Sequence, residues 1–119
     1  MFNFEKLEVW QRTIAFTGIV YAATREFPND ERFGLTNQMR RAAVSVSSNI
    51  AEGSSRSSNK DFARFVEVGY GSLMEVVSQS HLARRQGFLD QETFQSIYNE
   101  AEAISRMLSG LRSSLMKTS

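Results

Sequence analysis

Apolar residues recur along this chain at alternating spacings of three and four, the signature of helices that each bury one face. The pattern is cleanest near the C-terminus, where Phe94, Ile97, Ala101, Ile104, Leu108, Leu111 and Leu115 follow one another without a miss. A second series holds Phe62, Val66, Gly69, Leu73, Val76, Ser80 and Ala83, and a third Leu35, Met39, Ala42, Ala43, Val46 and Ile50. The first segment is different, because two series compete in it. Leu7, Trp10, Ile14, Thr17, Tyr21 and Thr24 form one seam, while Val9, Phe16, Val20, Ala23 and Phe27 form another, offset by about 200° around the helix. Helices are therefore expected over about 5–27, 35–52, 58–86 and 91–116.

Punctuation between these segments agrees with that division. Pro28 stops the first helix by pushing its neighbour out of the α region, and Asn29, Asp30 and Gly34 extend the break. Gly53 is expected as a left-handed C-cap of the second helix. Ser58 is placed to cap the third, with Asp61 favourably in its first turn, and Arg84, Arg85 and Gly87 mark its end. Leu89 and Phe94 bracket Asp90 as a hydrophobic staple around an N-cap. The tail from Met116 is expected to fray.

Four amphipathic helices joined by short turns predict an all-α, up-down-up-down antiparallel four-helix bundle, with the 119 residues forming one domain. Small residues flank the second helix, which suits a central, closely packed position. Gly69 and Gly71 each cost about 1 kcal/mol relative to Ala inside a helix, so a close-approaching backbone is expected at both. The doubled seam of the first helix implies a partner besides its own bundle. Taking Leu7 to Thr24 as the inward seam leaves Val9, Phe16, Val20 and Phe27 as an oligomer interface, hence a homo-oligomer.

Composition narrows the chemistry. With no cysteine and a single histidine, His81, thiolate metal sites, a Cys nucleophile and a Ser-His-Asp triad find no material. The expectation is no catalytic residue, no metal, no cofactor, no small-molecule substrate and no enzymatic activity. Charges at Glu5, Lys6 and Glu8 interrupt any signal-peptide core, and no apolar run approaches the roughly 20 residues of a membrane span. A cytoplasmic location is the default. The net charge is only +1, but residues 35–60 carry Arg40, Arg41, Arg56 and Lys60 against Glu52 alone. That local excess hints at an anionic partner.

The central stretch RRAAVSVSSNIAEG, a Ser/Arg turn and DFARFVEVGYGSLMEV, with LEVWQ and EFP upstream, resembles the 23S rRNA intervening-sequence protein family of small bacterial four-helix bundles. That family is similar in fold to the accessory protein of diversity-generating retroelements, a pentameric ring that binds nucleic acid. The resemblance covers nearly the whole chain. It implies a homopentamer and a possible RNA or DNA partner, although the net charge is far below that of a dedicated nucleic-acid chaperone.

Three constellations could carry a function. The polar set Gln38, Arg41, Asn49, Glu52, Glu67 and Glu75 would meet if Arg41 lay opposite Gly69 and reached toward Glu67 or Glu75; a structural ion pair or capping set is preferred to acid–base work. The segment GSSRSSNK, residues 53–60, offers backbone N–H groups and serines at a helix start, yet lacks the second glycine and preceding strand of a phosphate-binding P-loop. Finally, Arg56, Lys60 and Arg64 repeat every four residues, with Arg40 and Arg41 on the neighbouring helix, as candidate nucleic-acid contacts. His81 is expected as an exposed surface residue. The expected function is an oligomeric bundle that binds RNA or a nucleoprotein partner; the alternative is a protein-interaction scaffold without nucleic acid.

Overall fold

The computed structural model describes residues 1–117 as four helices, α1 (Glu8–Thr24), α2 (Leu35–Ser54), α3 (Asn59–Arg85) and α4 (Gln91–Lys117). Short 3-10 turns at Asn3–Lys6 and Asn29–Glu31 precede α1 and α2. Each helix packs on its neighbours in sequence, and α1 closes the circle against α4. The diagonal pairs, α1 with α3 and α2 with α4, do not approach one another. The result is the expected antiparallel bundle, 45 × 22 × 22 Å, its length set by the 27-residue helices α3 and α4 at about 1.5 Å per residue.

The inward seams read from the sequence hold for three helices. Leu35, Met39, Ala42, Ala43, Val46 and Ile50 are buried on α2, and Val66, Gly69, Leu73, Val76, Ser80 and Ala83 on α3. Phe94, Ile97, Ala101, Ile104 and Leu108 are buried on α4, with Leu111 and Leu115 half-buried against the core. The caps also form. Ser58 Oγ accepts the Asp61 N–H at 3.1 Å, and Asp90 Oδ1 accepts that of Thr93 at 2.7 Å. Gly87, at φ 79°, closes α3 with the Phe88 N–H donating to the Ala83 carbonyl, a Schellman arrangement. Helix α4 continues through Met116 to Lys117, so the tail does not fray at those residues; Thr118 and Ser119 lie outside the described ones.

Helix α1 is turned the other way from the expectation. Val9, Phe16, Val20 and Phe27 are 0–6% exposed and belong to the core of the single chain, so they form no oligomer interface. The reason is side-chain content. That series carries two phenylalanines and no polar atoms, whereas of the rival seam Thr24 alone is buried, its hydroxyl donating to Val20 O, and Thr17 and Tyr21 remain half-exposed at the margin with α2. Thr17 Oγ1 donates to Thr13 O at 2.8 Å and reaches Ala43 O at 3.4 Å. Trp10 meets the Phe4 ring edge-on at 4.9 Å, and Ile14 is left 47% exposed.

The glycines also divide differently. Gly53 stays helical inside α2 and has no positive φ; a Cβ there would lie 2.8 Å from Phe65 Cβ and from the Phe62 ring. It is a close-approach residue, not a left-handed cap. Gly69 fits the expected role, its missing Cβ facing the Val46 carbonyl at 3.4 Å and Asn49 Cβ at 3.6 Å. Gly71 has nothing near it and is exposed. Because Gly53 keeps α2 helical to Ser54, Gly69 lies opposite Val46 and Asn49, more than a turn beyond Arg41.

Gly53→Ala should therefore destabilise by about 1–3 kcal/mol through overpacking, while Gly69→Ala should fall within about 1 kcal/mol of the parent and Gly69→Leu should destabilise like Gly53→Ala. Denaturant melts of the three variants check the order. The Thr93 hydrogen bonds hold the Asp90 carboxyl below its usual range. Its contribution to stability is complete above the ordinary carboxylate pKa and lost as pH falls through the lowered folded value. Asp90→Asn keeps the cap without the charge, and should lose less thermal stability than the parent between neutral and strongly acidic pH.

Candidate functional site

The five cations proposed as one nucleic-acid contact are distributed over two places. Arg40 is held within the fold: its Nε donates to Thr24 Oγ1 at 2.8 Å, its Nη2 approaches the Tyr21 carbonyl at 3.4 Å, and its guanidinium stacks 4.6 Å from the Tyr21 ring centroid. It neutralises carbonyls at the C-terminal end of α1, where a cation is favoured. Arg41, one residue on, points to solvent and has no partner among the described residues. Arg56, Lys60 and Arg64 lie at the other end of α2, roughly 20 Å away by helical rise.

Nor do Arg56, Lys60 and Arg64 form one helical row. Arg56 belongs to the turn before α3 and lies 4.5 Å over the Phe65 ring. Arg64 pairs with Asp61 at 2.6 Å, at the surface, where such a pair contributes little. Lys60 and Arg64 line a shallow hollow with Arg112, whose Nε donates to Glu67 Oε1 at 2.6 Å. The serines of the GSSRSSNK turn are largely occupied. Ser54 and Ser55 donate back to the Ala51 and Glu52 carbonyls, and Ser58 serves the cap.

The polar set separates as well. Glu67 pairs with Arg112 of α4 instead of Arg41, a consequence of the α2–α3 register. Gln38, Arg41 and Glu75 line a depression between α2 and α3, and Asn49 and Glu52 share a second with Arg41 between α2 and α1. Asn49 is the exception with a structural duty. Its Nδ2 donates to Ser45 O at 2.8 Å, and Ser45 Oγ meets Ser72 Oγ of α3 at 2.9 Å. His81 is exposed as expected, and also sits edge-on to Phe94 at 4.9 Å. A second cross-helix ion pair, Arg12 with Glu100 at 2.8 and 3.3 Å, joins α1 to α4 and raises the Arg12 pKa further above its already high value.

An outward apolar face was expected on α1 but from other residues, and one on α3 was not expected. On α1, Ile14, Ala15, Gly18 and Ala22 are exposed, and Arg12 is the sole charge between Val9 and Thr24. On α3, Val68, Gly71, Met74, Ser78 and Leu82 are exposed, with Glu75 the sole formal charge from Val68 to Ala83. Both faces are centred on a glycine whose Cβ would meet nothing. The signal was available in the second glycine of GYG, for which one close approach between helices supplies no reason.

These features define a small all-helical bundle with two thin apolar flanks. Among the described residues no three acidic or histidine side chains converge as metal ligands, and no helix is long and apolar enough to cross a membrane. Residues 5–110 match the model of the family described as 23S rRNA-intervening sequence protein, and the chain belongs to that family. A solved structure from Bacteroides thetaiotaomicron, described as a protein with unknown function from the S23 ribosomal protein family, is similar with a TM-score of 0.81 at 21% identity, covering 87% of this chain and 97% of that one. At that identity the likeness concerns the fold. No match was found among curated proteins.

The two neighbouring arginines should separate cleanly on substitution. Arg40→Ala should cost about 1–2 kcal/mol, since it removes charge-assisted hydrogen bonds and a ring contact at a half-buried position. Arg41→Ala should stay within about 0.5 kcal/mol of the parent in the same denaturant titration.

Proposed function

We propose that the protein acts by assembly and contact, as a homo-oligomeric bundle in which the outer face of α1 of one copy meets the outer face of α3 of the next. One observation carries this reading. Gly18, Gly71 and Gly110 each stand inside a helix facing open space, at a cost of about 1 kcal/mol that no contact within the chain explains, and only around Gly18 and Gly71 is the exposed face almost free of charge. A neighbouring helix lying close against both would explain it.

The geometry of the faces supports a closed assembly. Helices α1 and α3 occupy diagonal corners, so the two faces point away from each other, as a heterologous interface requires. Thr17 lies level with Ala43, and Ser45 with Ser72, which puts Gly18 and Gly71 within about one turn of the same height. A rotation axis parallel to the bundle preserves height and brings parallel helices together. Counting equal rises through those two contacts, Glu8 comes within about one residue of Arg64 in height, an opposite charge at that rim. Five copies are favoured because the family this chain belongs to is similar in fold to a pentameric ring.

Such a ring repeats Arg56, Lys60 and Arg64 at one end of every subunit. The second part of the reading is that these ends contact RNA phosphates, weakly in each copy and more strongly together. A scaffold that binds only polypeptide is the alternative. Light scattering should give a multiple of 13.5 kDa for the parent, and Gly18→Glu or Gly71→Glu should yield a soluble, helical single chain. A parent mass near one chain at micromolar concentration overturns the assembly. Binding to a structured RNA should fall steeply with salt; no binding at low salt leaves the scaffold reading.

A further inference from the structure

We infer that the outer face of α2 holds a binding site for a nucleotide unit, a phosphate together with its ribose, centred on Arg41. Two depressions, of about 390 and 590 Å³, flank this face and share Asn37, Arg41 and Ser45. Arg41 lies between them with no ion pair or hydrogen bond among the described residues, although Glu75 lines one depression and Glu52 the other. The cross-helix pairs Arg12–Glu100 and Arg112–Glu67 show that this fold does close ion pairs where they serve packing. Arg41 is left open.

What surrounds Arg41 suits a phosphate. Arg40 lines the larger depression too, its guanidinium fixed by Thr24 and Tyr21, so a second cation is already in place. Asn37 and Ser48 add neutral donors. The floor is thin because α2 carries Ala42 and Ser45 there, and it is held by the Asn49–Ser45–Ser72 hydrogen bonds. A planar guanidinium recognises phosphate oxygens in pairs, which an ammonium group does not. Glu52 and Glu75 at the margins accept hydrogen bonds, matching the hydroxyls of a ribose better than a second phosphate.

The part of the site on α2 itself lies at the corner between the two faces used in the assembly proposed above, while Glu75, one turn from Gly71, borders both. Arg41 is roughly 20 Å by helical rise from the turn that leads to Lys60 and Arg64. The test uses the full chain at low salt, with two probes: a nucleoside monophosphate and a short single-stranded oligoribonucleotide. In NMR titrations the side-chain signals of Arg41, Asn37 and Gln38 should shift with a probe, and Arg41→Gln should weaken binding by at least roughly tenfold. Saturation by the monophosphate identifies a free nucleotide as the ligand, and a response to the oligoribonucleotide alone identifies an RNA chain. Lys60→Gln with Arg64→Gln should leave the shifts produced by the monophosphate unchanged, even where it weakens binding of the oligoribonucleotide at the turn end. Loss of the monophosphate shifts in that variant alone, or no shift with either probe, overturns the site. So does a fall in melting temperature of Arg41→Gln comparable to that of Arg40→Ala, which would make Arg41 a structural residue.

Discussion

Helices α2 and α3 can lie as close as they do because three positions on their shared face lack bulk. Gly53 meets Phe62 and Phe65, Gly69 meets the Val46 carbonyl, and Ser45 shares a hydrogen bond with Ser72 where larger side chains would hold the helices apart. This contact is the most extensive in the bundle. It sets the register, and the register decides which charged groups find one another. As folded, Ser45 lies level with Ser72, which brings Arg41 level with Glu75 across the α2–α3 depression rather than with Glu67; Glu67 pairs with Arg112 on α4, and Arg41 is left to solvent.

That outcome separates structural from available charge. Arg12 and Arg112 each pair with a carboxylate on another helix, so their charge is largely spent inside the chain, whereas Arg40 is fixed by neutral groups and keeps its charge at the edge of the α2 face. What remains for an outside partner is small and lies in two places, the turn end of the bundle and the outer face of α2. A dense basic surface would attract polyanions by field alone. Here any anion must be met by geometry, by pairs of donors and by repetition through assembly, because net charge of +1 supplies little long-range attraction.

Most of the fold was legible in the sequence, and the reason is redundancy. On α4, seven apolar positions agree on one face, and on α2 six do. Caps such as Ser58 and Asp90 are local, decided by residues within one turn, so they too could be read. Helix α1 could not be oriented from periodicity, since both of its series fit a helix equally well. The choice went to the series whose side chains carry no polar atoms, a comparison of burial costs that spacing does not contain. The candidate site was legible by residue type and not by grouping. Arg40, Arg41, Arg56, Lys60 and Arg64 are near in sequence, but the helical rise from Arg41 to the end of α2 holds the two groups apart, and which of them is free depends on partners from other elements, such as Thr24 and Tyr21 for Arg40.

Glycine is the residue by which the remaining question is best argued. Inside a helix it gives up about 1 kcal/mol relative to Ala and gains nothing unless another atom occupies the space a methyl would take. Gly53 and Gly69 have such atoms within the chain, and their cost is offset by the contact they allow. Gly18, Gly71 and Gly110 do not, and the first two sit among exposed small or apolar neighbours on stretches of helix almost free of charge. A solvated helix face ordinarily carries Glu, Lys or Arg, residues that favour the helix and keep neighbouring molecules apart. Their absence around Gly18 and Gly71, within about one turn of the same height, is the same chemistry that joins α2 to α3, displayed outward. Gly110 of α4 also faces open space, but Arg106 and Arg112 stand exposed beside it, so no uncharged face surrounds it.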